Sequence, residues 1–108
     1  MQPYQKVGAT IDLSGTNSAT FDGTAPYENL NFQYVWSSVV GAASSFKLQV
    51  SNDNSNWDDV SGVTGATSGA SGSASWQLTG YSGAFFRVLV TSASTSGNLV
   101  VTASGNGV

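Results

Sequence analysis

The sequence predicts an all-β protein: a single small antiparallel β-sandwich, jelly-roll-like, of about eight strands. Three observations point there. Apolar and polar residues alternate with a period of two in several segments. No stretch of ten residues keeps apolar positions at i, i+3, i+4 and i+7, as an amphipathic helix requires. Clusters of Gly, Asn, Asp and Ser punctuate the chain at the spacing of short strands. The 108 residues suit one domain, and a chain of this size buries about 65% of its unfolded surface, enough for one core.

Taken in order, residues 1–6 form a Pro-containing N-terminal arm and residues 7–108 the sandwich domain. Strands are expected at 7–13, 19–22, 30–38, 45–51, 57–60, 74–78, 85–91 and 99–104. In the third, Leu30, Phe32, Tyr34 and Trp36 share one face, while Asn31 and Gln33 take the other. In the fourth, Phe46, Leu48 and Val50 point one way and Lys47, Gln49 and Ser51 the other. The turn-forming residues 41–44 between these two make them an antiparallel pair. The segment 61–75 holds no aromatic and no charged residue, and reads as a long exposed loop joining two strands. Phe85, Phe86, Val88, Leu89 and Val90 make the seventh strand apolar on both faces apart from Arg87. It is either a central strand or one whose outer face meets another subunit. Trp36 shares its face with Leu30 and Phe32, and Trp76 with Leu78, so both belong to the core. Trp57 follows a turn and packs as a lid over the sandwich end. Arg87, the only arginine, calls for a carboxylate partner, Asp58 or Asp59, or for a subunit boundary.

Charged residues are 8% of the chain, against about 25% in a typical soluble domain. With no Cys and no His, disulfide scaffolds, Cys/His zinc sites and imidazole chemistry are excluded. Three cations (Lys6, Lys47 and Arg87) against six acids argue against nucleic acid as a partner. No apolar run approaches a membrane span, and no secretory signal peptide is visible at the N-terminus.

Catalysis finds little to work with. Asp58 and Asp59 are adjacent, so on a strand their carboxylates face opposite sides and cannot converge on one substrate. The many serines lack a histidine base and a nucleophile elbow. No enzymatic activity and no cofactor are therefore expected. Asp53, Asn54, Ser55 and Asp58 offer hard oxygen donors for a weak calcium turn, without the spacing of an EF-hand. The simpler reading is that these side chains bond the local backbone, and no metal is expected. Tyr27, Asn52, Asp53, Trp57 and Tyr81 could form the rim of a sugar site, where rings stack on the C–H face of a pyranose and amides or acids meet its hydroxyls.

The ordered set Asn31-Phe32-Gln33-Tyr34-Val35-Trp36, Phe46-Lys47-Leu48-Gln49-Val50-Ser51-Asn52-Asp53 with Trp57, Phe86-Arg87-Val88, and the terminal Gly97-Asn98-Leu99 and Gly105-Asn106-Gly107-Val108 resembles small phage and virus virion proteins of the capsid decoration or spike type. The likeness covers roughly residues 29–108. It departs from that pattern by one extra residue before Trp36 and by Asn106, where Lys is common. The Ser-Asn-Asp…Trp hairpin is also similar to that of discoidin-like sandwiches, a fold that normally uses a longer chain. The virion resemblance implies a capsid decoration (cement) protein or spike-base protein on the capsid surface. Such a protein would dock on the major capsid protein or another virion protein through its arm and one apolar sheet face, with Tyr4, Val7 and Phe85 as contacts. Small sandwiches manage their edges by assembling, so a homo-oligomer, with a trimer favoured, is expected. The alternative is a lectin-like, receptor-binding glycan module built on the rim above.

Overall fold

Alternating side chains need two layers to bury them, and the computed structural model supplies two antiparallel sheets. It describes residues 4–7, 10–22, 29–79 and 84–106, with side chains for 10–22, 29–79 and 84–105. The strands are β1 (Tyr4–Val7), β2 (Ile11–Asp12), β3 (Ser18–Asp22), β4 (Asn29–Val40), β5 (Ser45–Ser51), β6 (Asp58–Ala66), β7 (Gly72–Thr79), β8 (Phe85–Ser92) and β9 (Ser96–Asn106). The first sheet runs β1-β9-β4-β7, with β2 also on β9; the second runs β3-β8-β5-β6. β1 and β2 follow one another along the same side of β9, pairing Tyr4 with Gly105 and Ile11 with Leu99. They occupy one strand position, which makes eight positions in all. From β2 onward every connection crosses between sheets except β5 to β6, which is the winding of a jelly roll. The backbone of Tyr4–Val7, most of it in the segment read as an arm, is the edge strand at that position.

The core lies between the layers. Leu30, Phe32, Tyr34 and Trp36 of β4 are all buried, as are Phe46 and Leu48 of β5 and Phe86, Val88 and Val90 of β8. Rings meet across the gap, with Tyr34 edge-on to Phe46 at 4.8 Å and Phe32 against Phe86 at 5.5 Å. These contacts explain one correction. Segments 30–38 and 45–51 do not pair as a hairpin: β4 hydrogen-bonds to β9 and β7, and β5 to β8 and β6. Each carries a wholly apolar face, and two such faces bury more by stacking across the sandwich than by lying side by side in one sheet.

The Ser/Gly-rich segment 61–75 is a second correction. β6 continues to Ala66 and β7 begins at Gly72, so the connection is only 67–71. Its small residues are what the large rings demand. A Cβ on Gly72 would lie 2.4 Å from Trp36 Cζ2, and one on Gly65 would lie 2.6 Å from Phe46 Cε2. The indoles in turn hold this region: Trp76 Nε1 donates to Thr64 O at 3.1 Å and Trp36 Nε1 to Ser68 O at 3.2 Å. Ser44 and Thr67 exchange two more bonds, Thr67 N–H to Ser44 O and Ser44 N–H to Thr67 Oγ1. At the same end the buried hydroxyls of Ser44 and Ser94 lie 2.6 Å apart, and Ser94 Oγ donates to Ala42 O. A weakly apolar segment is thus fixed by hydrogen bonds to buried and half-buried groups.

Candidate functional site: the outer face of the second sheet

β8 is an interior strand of its sheet, flanked by β3 and β5. Its inward residues fill the core, which leaves Phe85, Arg87 and Leu89 on the outer face, all half-buried. Register aligns three rows there. Asp22, Phe85 and Ser51 form the first; Thr20, Arg87, Gln49 and Asp59 the second; Ser18, Leu89, Lys47 and Thr64 the third. Cross-strand neighbours this close interact directly.

The second row is wired together. Arg87 Nε donates to Gln49 Oε1 at 2.7 Å, and Gln49 Nε2 donates to Asp59 Oδ1 at 2.8 Å. The Arg87 guanidinium carbon sits 4.4 Å from the centre of the Trp57 ring, a cation–π contact. Lys47 Nζ reaches both oxygens of Asp59, at 3.0 and 3.1 Å. Both partners are partly solvated, so this ion pair adds little stability. The Gln49 amide, and after it the Lys47 hydrogen bond, hold the Asp59 carboxyl below its usual range. Trp57, half-buried where the chain leaves the β5–β6 turn, thus places its ring under the Arg87 guanidinium. The link from Arg87 to Asp59 runs through Gln49, whose role the linear sequence does not signal. Only the register that sets Gln49 between Arg87 and Asp59 reveals it.

The interface residues named from the sequence divide. Phe85 lies on the outer row of β8. Tyr4 and Val7 are the ends of β1, at the edge of the other sheet, and their side chains lie outside the described residues. Of the sugar-rim set, Tyr27 and Tyr81 also lie outside them. Asn52 and Asp53 are exposed in the β5–β6 turn, and Trp57 leaves that turn to meet Arg87.

The turn itself is built around Asp53. Its Oδ1 accepts from Ser55 N–H at 2.9 Å, Asn56 N–H at 2.8 Å and Ser51 Oγ at 2.9 Å; its Oδ2 accepts from Asn56 Nδ2 at 2.7 Å. Asn54 takes a left-handed conformation, φ 59°, which asparagine tolerates. These donors, with the Asn56 backbone N–H foremost, keep the Asp53 carboxyl well below the ordinary range. Asp53 here closes the turn through N–H donors, and Asn54, Ser55 and Asp58 are exposed around it. Among the described residues no group of three acidic side chains converges to hold a metal.

The first sheet differs in character. The strands β4, β7 and β9 contain no charged residue, and the outer face carries Asn31, Gln33, Val35, Ser75, Gln77, Asn98, Val100 and Thr102. Charge on the strand faces is thus concentrated on the second sheet. A shallow cleft of about 290 Å³ at the loop end is lined by Val39, Gly41, Ala43, Thr67, Gly69 and Ala70. None of these titrates, so the cleft has no acid or base to offer. No family model matches the chain, and no curated protein matches it.

Proposed function

We propose that this chain is a non-enzymatic structural protein of a virus particle, a capsid decoration or spike-base protein. It would sit on the shell as a homo-oligomer and dock on the major capsid protein or another virion protein. The outer face of the second sheet is the docking surface. One observation carries this reading: β8 turns Phe85 and Leu89 outward, with Arg87 fixed on Trp57 between them. The solvated face of an antiparallel sandwich is normally polar. Aromatic, Arg and bulky apolar side chains gathered at one spot are the composition of interface centres. An Arg already held by Gln49 and Trp57 loses little further freedom on binding. The jelly-roll winding adds a fold-level analogy, because capsid and lectin domains use it.

Co-sedimentation with particles stripped of the protein tests the reading. The wild-type chain should pellet at a fixed ratio to the shell, and Phe85→Ser/Leu89→Ser should weaken binding by about 100-fold or more. A wild-type chain left in the supernatant, or a double variant that pellets equally well, would refute it.

A lectin-like role is the second reading, and the topology favours it at one point. The β5–β6 turn bearing Asn52 and Asp53 opens at the same end of the sandwich as Asp22, Asn29, Thr79 and Phe85. Binding of the isolated chain to immobilised glycans, abolished by Trp57→Ala, would favour that role over docking.

A further inference from the structure

A sandwich has four edges, and each exposes unpaired backbone N–H and C=O groups that can recruit another strand. Three of the four carry devices that discourage this. The β1/β2 edge is split into segments of four and two residues, with Lys6 in one and Asp12 in the other. β3 has five residues and ends in Asp22. β6 begins with Asp58 and Asp59, shifts register against β5 between Lys47 and Gln49, and bends at Gly62 with φ 76°.

β7 carries none of them. It is eight residues long, has no charge and no proline, and pairs with β4 without a shift from Asn29↔Thr79 to Trp36↔Gly72. Its other side has no strand neighbour among the described residues. Ser73, Ser75, Gln77 and Thr79 are exposed along its outer face.

We infer that the free edge of β7 pairs with β7 of a second copy of this chain. The pairing is antiparallel about a two-fold axis and joins the two first sheets into one continuous sheet. Three features select a second copy as the occupant. An isologous contact must be self-complementary, and an uncharged strand faces itself with no like charges opposed. Ser, Gln and Thr side chains across such a ladder can hydrogen-bond to one another. The two-fold also sends the Asp58–Asp59 end of β6 in one copy towards the uncharged stretch of β6 after Gly62 in the other, so these carboxylates stay apart. The inference is independent of shell docking, because the outer face of the second sheet remains open in the pair. It replaces the favoured trimer with a dimer, since one self-complementary edge closes after two copies.

Sedimentation equilibrium over a wide concentration range decides it, using three forms of the full chain. The wild type should behave as a dimer. Ser75→Lys/Gln77→Lys sets like charges face to face across the new ladder and should weaken the dimer by about 100-fold or more. Asn98→Lys/Ser104→Lys puts the same charges on β9, on the same sheet face but away from the edge, and should leave the dimer intact. All four positions are exposed, and circular dichroism checks that each variant folds. Amide exchange in residues 72–79 of the wild type should slow as concentration rises. A monomeric or trimeric wild type, equal dissociation by both variants, or exchange in 72–79 that ignores concentration would overturn the inference.

Discussion

Adding a single methyl group at Gly72 separates a packed strand from a free linker by the sign of its effect. In Gly72→Ala the new Cβ would lie 2.4 Å from Trp36 Cζ2 and 2.8 Å from Cε2. Trp36 cannot swing aside freely, being 6% exposed and bonded through Nε1 to Ser68 O. Overpacking of this kind costs about 1–3 kcal/mol. Against it stands the reduced freedom of the unfolded chain, about 0.4–1 kcal/mol, because Gly72 is not among the positive-φ glycines. The net expectation is a loss of about 1–2 kcal/mol, at about 4–8 °C in Tm per kcal/mol for a domain near this size. In an unpacked linker only the unfolded-state term would act, and the variant would match or exceed the wild type. Urea unfolding followed by Trp fluorescence and circular dichroism measures the difference. Trp36→Phe, which removes the offending ring atoms, should relieve part of the Gly72→Ala cost in a double-mutant cycle. A Gly72→Ala variant as stable as the wild type, or strict additivity with Trp36→Phe, would refute the packing described here.

Ser94→Ala should lower stability by about 1–3 kcal/mol in chemical denaturation, because it strips Ser44 Oγ and Ala42 O of a shared buried partner. Gln49→Leu should leave the fold intact while the Asp59 carboxyl returns towards its ordinary value, readable by NMR titration, since the Gln49 amide is the first cause of its depression. Asp12, Asp53 and Asp59 all titrate lower folded than unfolded. Their contribution is complete above the unfolded value of 3.8 and drains away as pH falls through the folded values, so acid should destabilise the protein. With no histidine, thermal scans should change little between about pH 5 and 8. Calcium should leave Tm unmoved, because Asp53 is engaged by N–H and O–H donors; a rise that follows mass action would identify a cation site instead.

Large side chains made the fold legible, and small ones hid it. The alternation of Leu30, Phe32, Tyr34 and Trp36 gave the buried face of β4, and the doubly apolar run 85–90 belongs to an interior strand. The partners of β4 and β5 were not legible, because alternation fixes which face is buried but not which sheet a strand joins. The strand residues 61–66 and 72–73 look like loop in the linear sequence, since Ser, Gly, Ala and Thr carry no periodic signal. Their fit against Trp36 and Phe46 exists only in three dimensions. At the candidate site Phe85 and Arg87 stood out by type, whereas Gln49 became visible only through its register between Arg87 and Asp59.

An electron cryo-microscopy reconstruction of particles carrying this protein probes the docking proposal most directly. The expected map has ordered density at symmetry-related positions on the shell, with Phe85, Arg87 and Leu89 turned towards the capsid surface. Density in which that row faces solvent, or shells left bare at saturating protein, would contradict it.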